Sequence, residues 1–588
     1  MLIRRIFKND CSFELRRSMD ESQRFELSQR ATRRGSLICS TVLLTSISGV
    51  MADQSFWSNK GTDYSDSRSW QKFTPGEKDV AVFKVPAKNS PWLTQSSVSA
   101  GLLFSGAETF GYQFTGEKEP TLTLLGIHPT GVSLEGEGGT HPENAAALRA
   151  ENTSGTNQID VHLILGAERS AIQTIYQEKG GTLDLNGGLS SLHELTALEL
   201  TGGGTINLNA VSSFRFGITL TGEGTTLGIG DDQALGRGTL MLDAPGTLTA
   251  VGGERTVANA VTFAANTLLT GKHRLTFSGD VTLSGAGPRT LTLDEGASAD
   301  FTGANLFLSD SPDFAGALQI IGPGSASIAG RISDFGGKSE GGSVTYGGTG
   351  LLTVTEESTY RGPTTVVGGT LEIGGKSGAL TGTSAVVIQG GTLLLSSAAT
   401  DRFRDDTPVT LGNATATSTL RLSGELSETM GTLTLSGSPK ESLRVIDFGS
   451  SASVLTFSSL ASETKGLSLE IWNWTSGGGN QLNLGSGKLG ANASLSDITF
   501  YTSSGSGPLG SATFSGNSLV PEIVITPVPE IGALCGTLAL LAPLAWRERR
   551  HWHRCPAARA SETFRDGRVR NQCSLHNQRT WNCLTHPR

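Results

Sequence analysis

The feature that most constrains this chain is a short glycine-led segment that recurs with two hydrophobic residues at positions i and i+2. Six copies are Gly181-Thr-Leu-Asp-Leu, Gly204-Thr-Ile-Asn-Leu, Gly238-Thr-Leu-Met-Leu, Gly369-Thr-Leu-Glu-Ile, Gly391-Thr-Leu-Leu-Leu and Gly431-Thr-Leu-Thr-Leu. Residues i and i+2 of a strand share one face, and the mostly polar residues between them take the other. Glycine allows the chain to turn with positive φ before each strand. Because strands this short cannot bury an apolar face alone, the pattern predicts successive segments stacked into a parallel β-solenoid.

The composition supports an all-β fold and excludes several other classes. The 588 residues include 77 glycines, and 17% are charged, against usual shares of about 7% and about 25%. An apolar content of 37% with a net charge of −8 does not fit a disordered chain. Glycine does not fall at every third residue, which excludes collagen. No long apolar stripe has helical spacing, which argues against a bundle. We therefore predict an all-β, elongated parallel β-solenoid, or β-helix.

Charge and cysteine divide the chain into a body and two basic ends. Residues 53–546 contain 27 basic and 46 acidic residues, a net charge of −19. An acidic body is a poor partner for a nucleic-acid backbone, so no nucleic-acid partner is expected. All six cysteines lie before residue 53 or after residue 530. The body is therefore predicted to hold no disulfide and no thiolate metal site, which suits an exported protein.

The first 52 residues have the features of a secretory signal peptide with an extended basic region. Arg30, Arg33 and Arg34 precede a short apolar stretch, and small residues lead to a plausible cleavage site after Ala52. The stretch is too short and too rich in Ser and Thr to remain as an anchor. A translation start at Met19 is a further hypothesis. The alternative is an amphipathic leader without a targeting role.

An uncharged segment near the other end predicts one transmembrane helix. Residues 531–546 contain no charge, and Arg547, Arg549 and Arg550 follow as a stop-transfer cluster. Sixteen residues span about 24 Å as a helix, which is short for a bilayer core of about 30 Å. Trp546 is expected at the membrane interface. The alternative is a buried core helix, against which the arginine cluster argues.

The motif before this helix is Val528-Pro529-Glu530. Together with the helix and the arginines, it resembles the PEP-CTERM sorting signal of Gram-negative exported proteins over residues 527–550. Ile531 stands where a second proline is usual in that family, and Pro543 lies inside the helix. The resemblance implies an exosortase-type sorting enzyme as a partner and transient membrane anchoring. Residues 551–588 lack hydrophobic periodicity, and we interpret them as a basic tail that is disordered or a read-through artefact.

The most complete repeat lies at residues 347–375. It contains Gly350-Leu-Leu-Thr-Val, then Thr359-Tyr-Arg-Gly, then Gly368-Gly-Thr-Leu-Glu-Ile. This order of strand, turn and strand resembles the autotransporter-associated β-strand repeat, also called the passenger-associated-transport repeat. The match is looser over 180–250 and 376–436. It implies a β-solenoid domain, which we place at residues 126–440.

The segments on either side of the repeats are predicted to cap the solenoid, because an uncovered end exposes an unpaired strand edge. Residues 53–125 resemble the entry segment of such proteins, with Trp57, Trp70 and Trp92 as the expected covering side chains. Stacking of these tryptophans on carbohydrate is the alternative. Residues 441–526 are predicted to be a C-terminal capping β module. Its strands are expected at Val445-Ile-Asp-Phe, Leu455-Thr-Phe, Leu467-Ser-Leu-Glu-Ile-Trp-Asn-Trp, Leu482-Asn-Leu and Ile498-Thr-Phe.

Motifs for catalysis were weighed and none was assigned. Residues 337–341 fit Gly-x-Ser-x-Gly, but no strand precedes and no helix follows in the pattern. Residues 375–377 do not complete a phosphate loop. The adjacent carboxylates of Asp231-Asp232 and of Asp405-Asp406 would point to opposite faces of a strand, so solvated turns are predicted for both pairs.

Motifs for metal binding are equally weak. His551, His553, Cys555, Cys573 and Cys583 match no structural zinc spacing. Calcium-binding nonapeptides are absent from the sequence. The sequence therefore predicts no catalytic residue, no cofactor and no metal site.

These observations together predict an exported, non-enzymatic protein of the cell surface or extracellular matrix. It would be secreted across the inner membrane, transiently anchored, and adhesive or structural. A repetitive face of Thr, Ser, Asn and Asp offers weak multivalent hydrogen bonds to exopolysaccharide or neighbouring cells. One alternative is a polysaccharide-processing β-solenoid lyase or hydrolase, which requires Asp, Arg, Lys or His from successive turns in one groove. Another is a degenerate reading frame whose product is not localised.

Overall fold

The computed structural model describes residues 53–522, apart from residues 117–119, 125–146, 167–171, 193–196, 214, 286, 336–340, 397–400, 476 and 478. Almost every described element is a strand, and two 3-10 turns lie at Ser67–Ser69 and Leu495–Asp497. No helix in the described part is long and apolar enough to cross a membrane. Ala52, Val528, Pro529, Glu530, Arg547, Arg549 and Arg550, with the signal peptide and the C-terminal helix, lie outside the described residues and stay predictions.

The described chain forms a parallel β-solenoid of about 16 turns, as the repeats predicted. The strands form three walls, which we name wall 1, wall 2 and wall 3 in the order in which the chain meets them. The turns between Ser191 and Arg255 have strands on walls 1 and 2 only. Wall 1 consists of Asp53–Phe56, Asp79–Phe83, Gly101–Phe104, Leu148–Ala150, Ile172–Gln177, Ala197–Thr201, Ile218–Leu220, Leu240–Leu242, Val261–Phe263, Val281–Leu283, Asn305–Phe307, Arg331–Ser333, Glu357–Ser358, Ala379–Leu380, Ser427–Met430, Val454–Phe457 and Gln481–Leu484.

Wall 2 is one continuous sheet of 16 strands. Its strands are Trp92–Leu93, Gln113–Gly116, Thr156–Ile159, Thr182–Leu185, Thr205–Leu208, Thr226–Ile229, Gly246–Ala250, Thr267–Thr270, Gly287–Leu293, Gly316–Ile321, Ser343–Tyr346, Thr364–Val366, Val386–Ile388, Val409–Leu411, Leu433–Leu435 and Leu460–Ser462. This wall is therefore the longest uninterrupted surface of the described solenoid.

Wall 3 begins as a sheet of four strands and resumes in a second sheet. Its strands are Ser97–Ser99, Thr121–Leu124, His162–Leu165, Leu189–Ser191, Arg255–Val257, Leu275–Phe277, Ser298–Phe301, Ser325–Ile328, Leu351–Val354, Thr370–Ile373, Gly391–Ser396, Ser418–Ser423, Arg444–Asp447, Leu469–Trp472 and Ile498–Tyr501. Two antiparallel strands, Pro508–Ser515 and Ser518–Pro521, follow the last turn.

All six glycine-led segments form strands, but they do not share one wall. Those after Gly181, Gly204 and Gly431 lie on wall 2, the one after Gly238 lies on wall 1, and those after Gly369 and Gly391 lie on wall 3. The motif therefore marks a strand that follows a tight corner, whichever wall that strand joins. This accounts for the irregular spacing of the motif along the sequence.

The apolar residues of these segments stack into a continuous interior. Leu371 pairs in register with Leu393, and Ile373 pairs with Leu395. All four side chains are buried, which confirms the predicted inward face. Burying one such side chain contributes about 1.5–3 kcal/mol relative to leaving it in water.

Glycine is required where the corner of one turn presses on the turn below. Gly180 precedes the strand Thr182–Leu185 and has a φ of +90°. A Cβ atom at Gly180 would lie only 2.4 Å from the carbonyl oxygen of Thr153 in the preceding turn. A larger residue at Gly180 would therefore be strained by its backbone and would also collide with the neighbouring turn.

Aromatic rings cover the start of the core. The rings of Trp57 and Trp70 lie 5.1 Å apart, and Tyr64 lies 5.1 Å from Trp70. Trp57 and Trp70 both contact Phe83 on an early strand of wall 1. Trp57 and Trp70 are thus buried against the first turns, whereas the Trp92 side chain is 38% exposed.

An antiparallel hairpin covers the other end of the described solenoid. The predicted strands of the 441–526 segment are present and continue the parallel stack. The closing strands were not predicted. Pro508–Ser515 pairs with Ile498–Tyr501 of wall 3, and Ser518–Pro521 pairs with Gln481–Leu484 of wall 1. The hairpin thereby occupies edges of two walls that would otherwise be open to another chain.

Two buried ionisable residues, Arg402 and Glu428, lie where wall 1 is interrupted between Ala379–Leu380 and Ser427–Met430. The backbone N–H groups of Arg402 and Phe403 donate to the two carboxylate oxygens of Glu428, at 2.9 and 3.0 Å. The Arg402 guanidinium donates to the carbonyl oxygens of Gly375 and Ser396, among others. Both charged side chains are buried. Here a side chain supplies the hydrogen-bond acceptors that a neighbouring strand would otherwise provide.

Candidate binding face

Five threonines form a column on the outer surface of wall 2. Cα register aligns Thr156, Thr182, Thr205, Thr226 and Thr247 on five consecutive turns. We call this column the threonine ladder. Its side chains are half-buried by their neighbours. None of the five hydroxyls has a hydrogen-bond partner within the described part of the chain. Because paired strands lie about 4.8 Å apart, these hydroxyls repeat at that interval along the wall. Since no described group bonds to them, they can form hydrogen bonds with a ligand.

Two columns of amide and carboxylate side chains lie beside the threonine ladder, two and four residues after each threonine on the same outer face. In one, Asn207 Nδ2 donates to Asp184 Oδ1 at 2.7 Å. In the other, Asn186 Nδ2 donates to Asp160 Oδ1 at 2.7 Å, and Asn209 Nδ2 donates to Asn186 Oδ1 at 2.7 Å. We call these the amide columns. Each bond links one turn to the next, so the amide columns fix the spacing of the surface on which the ladder lies.

Both amide columns end at a glycine of the following turn. A Cβ atom at Gly228 would lie 1.9 Å from Asn207 Oδ1, and one at Gly230 would lie 2.3 Å from Asn209 Oδ1. The asparagine side chains thus lie directly over the backbone of these glycines, in the space that a side chain would otherwise fill. Any larger residue at Gly228 or Gly230 would displace them. Gly228 and Gly230 are therefore required by the packing of the surface asparagines and not by a turn of the backbone.

The threonine ladder and the amide columns together form what we call the polar face. Its hydrogen-bonding groups are hydroxyls, amides and two carboxylates, on a sheet that is continuous from one turn to the next. One such hydrogen bond contributes only about 0.5–1.5 kcal/mol net. A polymer that spans several turns would make many at once and gain from their effective concentration. The arrangement suits multivalent binding of an extended, hydroxyl-rich chain.

The predicted carboxylate pairs lie at turns, as expected. Asp231 Oδ1 accepts from the backbone N–H of Gln233, and Asp232 Oδ1 accepts from the backbone N–H of Thr256 in the next turn, each at 2.8 Å. Asp406 pairs with Arg404 at 2.9 Å in an exposed turn that also contains Asp405. The two pairs lie in different turns, about seven turns apart along the stack, and their observed bonds are structural.

The other candidate motifs give no site in the described residues. Gly375 and Ser377 lie in a turn with no helix after it. The Gly337–Gly341 motif falls almost entirely on undescribed residues, as do His551, His553, Cys555, Cys573 and Cys583. Across the described ranges, no group of three or more His, Cys, Asp or Glu side chains could hold a metal ion.

Carbohydrate stacking on the N-terminal tryptophans is restricted by their burial. The rings of Trp57 and Trp70 are only 3% and 5% exposed, so neither presents a face to a sugar. Trp92 keeps an accessible ring. The expectation of tryptophan stacking can therefore apply to Trp92 but not to Trp57 or Trp70.

Sequence reasoning did not find the threonine ladder, although part of its signal was visible. Thr182 and Thr205 each follow the glycine of a recognised segment, and Thr247 follows Gly246 in the same way. Other threonines at this motif position lie on different walls, such as Thr370 on wall 3. Only the register between turns distinguishes the ladder from these other threonines.

Comparison with known proteins finds no matching family model, no similar curated protein and no similar solved structure. The assignment of the candidate site is therefore supported by the geometry described above.

Proposed function

We propose that this chain is an exported, non-enzymatic structural protein of the cell surface or extracellular matrix, and that its polar face binds exopolysaccharide. The observation that carries the proposal is the threonine ladder, whose five hydroxyls lie in register on consecutive turns and have no hydrogen-bond partner among the described residues. A rigid sheet presents these groups already ordered, so binding a polymer costs little conformational entropy of the protein.

The proposed route to the surface depends on the two ends of the chain. The signal peptide would be removed after Ala52. The segment around Val528, Pro529 and Glu530 would then be recognised by an exosortase-type enzyme, while the helix before Arg547, Arg549 and Arg550 holds the protein in the inner membrane. The basis for this part is the resemblance to the PEP-CTERM signal and to autotransporter-associated repeats.

Binding by the polar face is tested with the full chain in native gels that contain hydroxyethyl cellulose or dextran. The test variant carries T182V, T205V and T226V, which remove three ladder hydroxyls while keeping side-chain shape. The control carries T262V, T276V and T282V, three outward threonines of walls 1 and 3.

Loss of three hydrogen bonds of about 0.5–1 kcal/mol each predicts a roughly tenfold or larger increase in the dissociation constant of the test variant. The control variant should migrate like the wild type. Equal weakening in both variants, or no retardation of the wild type by either polymer, would refute the assignment of the polar face.

Export and processing are tested by cell fractionation with mass spectrometry of both termini. The proposal expects a mature N-terminus at Asp53 and a C-terminus near Val528–Glu530 in a surface or extracellular fraction. A cytoplasmic protein with both ends intact would contradict it. Incubation with the polymers above should release no new reducing ends, and their appearance would instead support the polysaccharide-processing enzyme.

A further inference from the structure

The tryptophan on the first strand of wall 2 differs from the two tryptophans that cover the core. Trp57 Nε1–H donates to the carbonyl oxygen of Asn89 at 3.2 Å, and Trp70 Nε1–H donates to that of Tyr64 at 2.8 Å. The indole N–H of Trp92 has no hydrogen-bond partner among the described residues, and its side chain is 38% exposed. Part of the Trp92 ring and its N–H donor can therefore contact a ligand.

The register of wall 2 places Trp92 in line with the polar face. Trp92 pairs with Thr115 of the next turn. Phe114 pairs with Ile159, so the same register places Thr115 opposite Asp160 of the following turn. Asp160 begins one of the two amide columns, whose later members follow on the next two turns. Trp92 is therefore the first side chain of that column, and it lies on the same outer surface as the threonine ladder.

Hydrogen-bonding side chains border Trp92 on both sides along the wall. On one side, Asp63 lies opposite Trp92 in a single β-bridge. The Asp63 carboxylate accepts from the hydroxyls of Ser65 at 2.7 Å and Thr94 at 3.2 Å. On the other side, the hydroxyl of Thr115 has no hydrogen-bond partner within the described chain. An exposed aromatic ring with polar groups at its edges suits a sugar, whose ring face is apolar and whose rim carries hydroxyls.

The charge and the spacing of this surface restrict the ligand further. Strands of wall 2 are spaced by about 4.8 Å, so Trp92 lies about 10 Å from Asp160, where the amide column begins. One extended polymer can therefore contact the ring and the threonine ladder together, because the sheet is continuous between them. Asp63 and Asp160 place a carboxylate on each side of Trp92, and they would repel an acidic polymer. The surface therefore favours an uncharged one.

We propose that Trp92 stacks against one pyranose unit of a neutral polysaccharide that continues over the threonine ladder. The inference rests on the proposed function, because it adds an aromatic subsite at the end of the same polar face. The indole N–H of Trp92 and the hydroxyl of Thr115 would bond to hydroxyls at the rim of the stacked sugar. A β-linked glucan meets both requirements, since it is uncharged and its equatorial hydroxyls leave both faces of each ring apolar.

The test measures binding of cellohexaose to the full chain by isothermal titration calorimetry. Loss of a stacked aromatic side chain predicts a roughly tenfold or larger increase in the dissociation constant of W92A. W92F keeps a ring but lacks the N–H donor, so its dissociation constant should lie between those of W92A and the wild type. The control is F314A, which removes a phenylalanine that is 40% exposed in the corner before Gly316–Ile321. F314A should bind like the wild type.

The inference is overturned if W92A binds cellohexaose as tightly as the wild type, or if F314A loses as much affinity as W92A. It is also overturned if the wild type binds carboxymethyl cellulose more tightly than hydroxyethyl cellulose at low salt. The ladder variant T182V/T205V/T226V separates this inference from the proposed function. Weaker binding in the ladder variant alone would uphold the polar face and refute the tryptophan subsite. Weaker binding in W92A alone would uphold the subsite and refute the assignment of the ladder.

Discussion

Replacement of Glu428 by glutamine is predicted to remove a large pH dependence of stability near the C-terminal turns. Glu428 points inward from the strand Ser427–Met430 and is 1% exposed. Loss of hydration on burial raises the pKa of its carboxyl from 4.5 to about 7. The N–H groups of Arg402 and Phe403 and the charge of Arg402 act in the opposite direction, but burial outweighs them.

The sign of the effect follows from the raised pKa. The folded state binds the Glu428 proton more tightly than the unfolded state, so stability is greatest at low pH and falls as pH rises from 4.5 to about 7. The loss is essentially complete about one pH unit above this folded-state pKa. A shift from 4.5 to about 7 corresponds to about 3 kcal/mol. Most of this loss, about 2.5 kcal/mol, falls between pH 5 and pH 8.

The assay compares urea unfolding of the wild type and E428Q at pH 5 and pH 8. Glutamine cannot ionise, so E428Q should lack about 2.5 kcal/mol of the pH-dependent change in unfolding free energy. Because a solenoid can open locally, hydrogen exchange of residues 401–403 and 427–430 is measured alongside. The control is E425Q, an exposed glutamate three residues away, which should retain the wild-type pH dependence.

The reasoning is wrong if E428Q keeps the full wild-type pH dependence. It is also wrong if exchange at residues 401–403 slows, rather than accelerates, as the wild type is taken from pH 5 to pH 8. Glutamine presents only one acceptor oxygen to the two N–H groups, so E428Q should be less stable than wild type at pH 5 by about 1–3 kcal/mol. This offset lowers the whole curve of unfolding free energy against pH for E428Q but does not change its slope.

Three further predictions concern the core and the two ends. L393A removes a fully buried side chain, and urea unfolding should show a loss of about 2–5 kcal/mol; a loss under 1 kcal/mol would mean that the stacked interior is not formed. W70A should expose the first turn and produce oligomers in size-exclusion chromatography, whereas W92A, at an exposed tryptophan, should leave the protein monomeric. Deletion of residues 508–521 should free the edges of Gln481–Leu484 and Ile498–Tyr501, with concentration-dependent association in analytical ultracentrifugation; a strictly monomeric product would count against the hairpin as an edge cover.

The fold could be predicted because its determinants are local in the sequence. A strand with Leu371 and Ile373 two residues apart has only one way to bury both, and the preceding glycine defines where the strand begins. The same logic placed the strands at Leu455–Phe457 and Leu482–Leu484 in advance. Period-two alternation needs no knowledge of the partner strand.

The polar face could not be predicted because it depends on register between turns. Thr205 and Thr370 have the same local sequence context, yet they lie on walls 2 and 3. Which wall a strand joins is decided by the lengths of all preceding corners. A difference of one residue in a corner would move a threonine from the outer surface to the core face. A local sequence pattern does not record the combined length of the preceding corners, so it cannot show which wall a strand joins.

The buried charges were missed for a related reason. Arg402 lies in a polar stretch that reads as a solvated turn, beside the predicted turn of Asp405 and Asp406. Its burial depends on carbonyl groups of Gly375 and Ser396 that converge only after the turns have stacked. Backbone acceptors have no signature in the sequence, so a buried arginine of this kind cannot be distinguished from a solvated one.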